Sequence, residues 1–210
     1  MFTHKSVTMT APAVVPLVTV LEAKQQLHLD TTEDDRLIEH YIKTATAFCE
    51  HYTQRAFIKQ QYTAYLDSIG PCVVLPHPPA LQEPPPIVEF YNSDTETWDE
   101  IDPSEYVYDW QSQPATICQS SCSAHISPTW CQSRIPDCPA GNGPGSRYRV
   151  TWWAGYGSEA SDAPLLVKQA IMLLTAHYYE RRLASDNYST DEIPFGVTVL
   201  LDSIRWRFYA

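Results

Sequence analysis

The sequence predicts an α+β fold in which helical segments flank a β-rich middle. Three observations predict it. Apolar residues recur at helical spacing over 33–53, in Leu37, Ile38, Tyr41, Ile42, Ala45, Phe48, Cys49 and Tyr52. A second helical face runs through Leu166, Val167, Ala170, Ile171, Leu173, Leu174 and His177. Between them, from about 58 to 155, the period changes to two and turn residues separate short runs. That middle reads as a small antiparallel sheet or barrel.

In chain order, residues 1–16 show no period and contain Pro12 and Pro16, which predicts a flexible or extended arm. Thr19-Val20-Leu21-Glu22 is a capping-box pattern that opens a first helix, lined by Val20, Ala23 and Leu27 and ending near Asp30. Thr31-Thr32-Glu33-Asp34-Asp35 opens the second, offering a Thr cap and three acids for the positive pole of the helix. Those acids admit a metal-cluster reading, but a solvated helix start accounts for them.

The β region begins with Gln60-Gln61-Tyr62-Thr63-Ala64-Tyr65-Leu66-Asp67, turns at Ser68-Ile69-Gly70-Pro71 and resumes at Val73-Val74-Leu75. Pro76-His77-Pro78-Pro79 and Pro84-Pro85-Pro86 frame a stiff loop of polyproline character. Further strands follow at 87–91, 98–101 and 106–110. The clearest is Arg147-Tyr148-Arg149-Val150-Thr151-Trp152-Trp153, which leaves through Gly155-Tyr156-Gly157.

Residues 112–146 interrupt this rhythm with a loop rich in Ser, Pro and Gly that holds Cys118, Cys122, His125, Cys131 and Cys138. Three states are open to it: a closed zinc site, disulfides, or neither. The cysteines are separated by three, eight and six residues, without the paired C-x-x-C knuckles of a typical zinc site.

Composition narrows the function. The 210 residues include 25 acids against 14 Lys and Arg, a net charge of −11. That argues against a chain whose task is gripping phosphate, and it does not exclude a surface that DNA slides past. No signal-peptide pattern or apolar run of membrane-spanning length is visible, which predicts a cytoplasmic protein whose six cysteines are free or metal-bound by default. Phosphate loops, nucleophile elbows and H-E-x-x-H are missing from the sequence, and the seven histidines are scattered. No catalytic constellation emerges.

The C-terminal part opens with Asp162-Ala163-Pro164, proline falling in the first turn of a long helix that ends in Glu180, Arg181 and Arg182. After a polar stretch at 187–192, Pro194 precedes a short amphipathic helix carrying Val197, Leu200, Leu201 and Ile204. The chain finishes in Arg205-Trp206-Arg207-Phe208-Tyr209, residue types that dominate interface energetics. The competing reading is that these aromatics fold back on the protein's own core.

Several stretches together resemble the phage head–tail connector (adaptor) proteins of tailed double-stranded DNA phages. They are Leu21-Glu22-Ala23-Lys24-Gln25-Gln26-Leu27, Asp34-Asp35-Arg36-Leu37-Ile38 and Ala47-Phe48-Cys49-Glu50-His51-Tyr52-Thr53-Gln54-Arg55 in the first half. Then come Leu75-Pro76-His77-Pro78-Pro79, Val150-Thr151-Trp152-Trp153-Ala154-Gly155-Tyr156-Gly157, the 164–182 helix and Ile193-Pro194-Phe195-Gly196. Their order and spacing fit over about 17–208, and the arm and the 112–146 loop depart from the pattern.

The resemblance implies a mainly helical bundle with an inserted small antiparallel β-sheet or barrel region. It implies a single connector domain over 17–210, with helices at 17–57, the β region at 58–157 and C-terminal helices with a docking tail at 162–210. It implies a structural virion protein of the neck, made in the host cytoplasm, without enzymatic activity or cofactor. Such proteins form a homo-oligomeric ring, usually of about twelve copies, under the portal. The C-terminal segment, here Arg205, Trp206, Arg207, Phe208 and Tyr209, would bind the portal protein. The other end would receive a stopper or tail-completion protein, and DNA would pass through the lumen without sequence-specific binding. No membrane is involved. The alternative is a metal-binding interaction module built on the Cys118–Cys138 loop; an enzyme with an unrecognised site stands third.

Overall fold

The computed structural model describes residues 4–67, 72–92, 95–120, 148–181 and 195–206. The chain divides into two compact units, each discontinuous in sequence: Met1–Pro12 with Lys59–Gly155, and Ala13–Ile58 with Tyr156–Ala210.

The first unit is a β structure. Its larger sheet has five strands in the order β1, β2, β8, β4, β5, every neighbouring pair antiparallel. These are β1 (His4–Ala11), β2 (Gln60–Leu66), β8 (Tyr148–Ala154), β4 (Ile87–Asn92) and β5 (Thr97–Glu100). The alternation in β8 decides what it buries. Tyr148, Val150, Trp152 and Ala154 are buried, while Arg149, Thr151 and Trp153 lie on the half-exposed face. Tyr62 of β2 stacks on Trp152 at 5.7 Å and on His77 at 4.6 Å between ring centres. On the other face, Arg149 lies opposite both Tyr65 and Glu89. Its Nε donates to Glu89 at 2.6 Å, a second guanidinium N–H completes the fork, and the group covers the Trp98 ring at 4.8 Å. The hydrogen bond it donates to Glu89 leads the causes that hold the guanidinium above its already high pKa.

A second sheet has the order β3, β7, β6, with β3 (Cys72–Val74), β6 (Tyr106–Asp109) and β7 (Thr116–Gln119), again antiparallel. Tyr106 and Tyr108 of β6 donate to the carbonyls of Pro86 (2.8 Å) and Leu81 (2.7 Å), which fastens the proline-rich connection. Burial pushes the Tyr108 hydroxyl up to about 12.

The second unit is helical, with α1 (Val20–Leu27), α2 (Asp35–Thr53), α3 (Leu165–Glu180) and α4 (Phe195–Asp202). The capping box opens α1 as its sequence predicts. The Glu22 amide donates to Thr19 Oγ1 at 3.2 Å, and the Thr19 amide donates to Glu22 Oε2 at 2.7 Å. No Thr cap opens α2. The preceding residue is Asp34, whose side chain does not cap the helix and instead accepts from Tyr179 Oη of α3 at 2.6 Å. Ile38, Ile42, Ala45 and Cys49 of α2 pack in one core with Val167, Ala170, Ile171 and Leu174 of α3 and Val197 and Leu201 of α4. Each buried Ile, Leu or Val there contributes roughly 1.5–3 kcal/mol relative to exposure. Gly157 is required where it stands: a Cβ would lie 2.0 Å from Asp162 Oδ2, the oxygen that accepts from the Glu159 amide at 2.9 Å.

The expected fold class needs correction. The chain is α+β but not mainly a helical bundle with a small insertion. Eight strands in two sheets stand beside four helices among the described residues, and the β unit is a compact body in its own right. Two stretches added strands beyond those expected. Within residues 1–16, expected to be an arm, His4–Ala11 forms β1. Within the expected 112–146 loop, Thr116–Gln119 forms β7, because Ala115 and Ile117 have a core to enter and β3 and β6 offer ladders on both sides.

Candidate docking surface at the C-terminal end

The last carbonyls of a helix lack partners within it. In α2 the final turn resolves this by gripping the C-terminal segment. Gln54 ends the helix in the left-handed conformation (φ 55°), and the chain turns away. Thr53 is buried, its hydroxyl donating back to Cys49 O at 2.7 Å, and its own carbonyl accepts from the Trp206 amide at 3.0 Å. Arg55 Nε donates to Ile204 O at 2.6 Å. Two backbone groups of the tail are thereby tied to the end of α2.

Side chains add a second layer. Tyr52 Oη donates to Asp202 Oδ1 at 3.0 Å. The Arg205 guanidinium covers the Tyr52 ring at 4.8 Å and approaches Asp202 at 3.9 Å. Cations at this place also suit the negative pole of α2. The Arg205 side chain is 43 % exposed, so the ion pair itself adds little and the guanidinium keeps donors for another acceptor. Trp206 is half-buried.

Of the five predicted portal-binding residues, the structure therefore brings Arg205 and Trp206 to one anchored root. Arg207, Phe208 and Tyr209 lie outside the described residues. The root is tied back to α2 through the Trp206 amide and the Ile204 carbonyl, and it leaves the Arg205 head exposed. Tyr52, Thr53, Arg55 and Asp202 complete the site and were not singled out as such. Their signal was present only as the Tyr52-Thr53-Gln54-Arg55 end of a helix, which does not say what those carbonyls and side chains will hold.

The cysteine-rich stretch resolves differently from its spacing. Cys118 is disulfide-bonded to Cys72, 46 residues earlier, rather than sharing a zinc ion within the loop. Cys122, His125, Cys131 and Cys138 lie outside the described residues. The metal-module reading loses one of its donors to this bond. Among the described residues no three His, Cys, Asp or Glu side chains converge on a point where a metal could sit. Asp34 and Asp35, two of the three acids at the start of α2, are engaged by Tyr179 and by Lys24 at 2.9 Å. No helix among the described residues is long and apolar enough to cross a membrane.

Comparison with known proteins bears on this geometry. Residues 18–79 match the family of phage gp6-like head-tail connector proteins. No curated protein matches in sequence. Three solved chains share the fold. One comes from the neck of an empty gene transfer agent particle computed with C6 symmetry, with TM-score 0.71 and 20% identity over 98% of this chain and 97% of that one. One comes from the virion of a native gene transfer agent particle, with TM-score 0.70 and 21% identity over 97% of each chain. The third comes from the neck of a native particle computed with C12 symmetry, with TM-score 0.63 and 22% identity over 97% of each chain. The resemblance to phage head–tail connectors thus holds in the sequence of residues 18–79, while the fold of nearly the whole chain matches chains of gene transfer agent particles.

Proposed function

We propose, from the match of residues 18–79 to phage head-tail connector proteins and the fold match to chains of gene transfer agent particles, that it is a structural protein of a virion neck. In this reading copies of the chain form a ring under a portal, link the capsid to the tail and leave a lumen through which DNA passes. The observation that carries the reading is the fold match along 98% of the chain to a neck protein. The symmetric necks of the matched particles support a ring. The family's description supports a connecting rather than a catalytic role.

The anchored C-terminal root supports portal docking through Arg205, Trp206, Arg207, Phe208 and Tyr209. A docking segment works best when its base is rigid and its tip is available, because less ordering entropy is lost on binding. The bonds from Trp206 to Thr53 and from Arg55 to Ile204 supply such a base. The opposite end of the ring is the place for a stopper or tail-completion protein.

Deleting residues 205–210 tests the docking role. The truncated chain is expected to keep its circular dichroism and helical core but to lose co-sedimentation with portal rings. Electron microscopy of the full chain on portal rings is expected to reveal a ring with the portal's axial symmetry. A truncated chain that still joins the portal would refute the docking assignment, and a full chain that never forms a ring there would refute the connector reading.

A further inference from the structure

The Cys72–Cys118 disulfide has no part in the docking site. Its cysteines face one another in register across the β3–β7 ladder, with Cα atoms 4.1 Å apart. They occupy the outer end of that ladder; Val73 opposite Ile117 and Val74 opposite Thr116 follow inward. At this same end the chain leaves β7 for residues 121–147, after the Ser120 amide donates to Glu105 O at 2.8 Å. The sheet is short, with three residues in β3 and four each in β6 and β7. Ladders of that length open readily at their ends. Cys72 is exposed and Cys118 half-buried, so a small thiol or disulfide can reach the pair. Cys49, the free cysteine among the described residues, is buried in the helical core with its thiol pushed up to about 12, and is no rival as a nucleophile.

We propose that Cys72 and Cys118 form an oxidation-dependent clamp at the end of the β3–β7 ladder. It stands open as two thiols in a reducing cytoplasm and closes when the protein meets an oxidising medium. The thiolate of exposed Cys72 attacks a low-molecular-weight disulfide of the glutathione class, forming a mixed disulfide and releasing one thiol. The Cys118 thiolate then attacks Cys72 Sγ, forming the protein disulfide and releasing the second thiol. Two protein thiols are oxidised, one small disulfide is reduced to two thiols, and the protein's two protons leave on those thiols. The backbone ladder already holds both cysteines in register, so the second step needs no long-range search. Closure locks the end of the ladder that would otherwise fray. Where the oxidation takes place rests on the virion reading; the chemistry does not.

The test uses the full chain in reduced and in oxidised glutathione buffer, quenched with iodoacetamide. Peptide mapping is expected to find both cysteines alkylated in the first and a Cys72–Cys118 cross-linked peptide in the second. Amide exchange at 72–74 and 116–119 is expected to slow about tenfold on oxidation. A Cys72→Ser, Cys118→Ser double variant should exchange equally in both buffers. A cross-link from Cys72 to another cysteine, or unchanged exchange in the natural chain, would overturn the clamp. A second arm compares protein quenched inside cells with protein from released particles. The bond is expected only in the latter, and finding it in both or in neither overturns the timing. If the chain is missing from particles, the virion reading and the timing fall together, while the glutathione result still decides the clamp.

Discussion

Arg55 shows how much one side chain can decide at the C-terminal root. It lies just past the end of α2, and its Nε–H meets the Ile204 carbonyl at 2.6 Å. Truncating it to alanine removes a charge-assisted donor and leaves that carbonyl to water. The expected outcome for Arg55→Ala is a loss of about 1–2 kcal/mol in urea unfolding. It should also bring faster exchange of the Trp206 amide, whose bond to Thr53 O sits beside it. Arg55→Lys should recover charge but not the placement of the Nε–H donor, and rescue only part of the effect. A Trp206 amide that exchanges at the natural rate in Arg55→Ala would mean that the root is held by other contacts. Little of this was legible in the sequence. Arg205 and Trp206 announce themselves as interface residue types, whereas Tyr52, Thr53 and Arg55 read as an ordinary helix end. Their partners lie about 150 residues away, beyond what local spacing encodes.

Elements were legible in proportion to how local their stabilisation is. The α1 capping box, the apolar face of α2 and the alternation of β8 each carry their signal within one stretch. The short strands were harder. The reading of 1–16 as without a period missed an alternation in β1, Val7, Met9 and Ala11 against Ser6, Thr8 and Thr10, because most of the strand is exposed and the prolines after it dominate. What makes it a strand is β2, more than 50 residues on, with Thr10 Oγ1 and Thr63 Oγ1 2.7 Å apart across the pair. β7 was hidden in the same way by the Ser, Pro and Gly around it, and its cysteine pointed to local partners when the true one is Cys72. The register of β1 on β2 gives six facing pairs. At a few tenths to one kcal/mol each, deleting residues 1–11 is expected to lower stability by about 2–4 kcal/mol. It also bares the β2 edge, a template for pairing between chains. Urea unfolding and light scattering check both effects. Unchanged stability in a monodisperse truncated chain would show that β1 contributes nothing to the sheet.

At the scale of the whole molecule, charge decides what the chain can hold. Twenty-five acids against 14 Lys and Arg leave the chain a net charge of −11. Several of the bases are already engaged within the protein: Lys24 with Asp35, Lys43 with Glu39, Arg149 with Glu89, Arg55 with Ile204 O. A protein that grips duplex DNA must set clustered cations against phosphates, and its affinity then rises steeply as salt falls. A conduit needs the reverse, a wall on which DNA finds no resting place. The two cases separate most clearly at low ionic strength, where electrostatic grip is strongest. The full chain is therefore expected to leave duplex DNA unshifted on a native gel at about 50 mM salt, at protein concentrations up to the micromolar range where non-specific binders act. Loading it on portal rings should leave that result unchanged, apart from any binding by the portal itself. A shifted band that fades as salt is raised would mean that the scarce cations are gathered into a phosphate-binding track. In that event the proposed role as a passive channel would fall, and the chain would be a DNA-holding element instead.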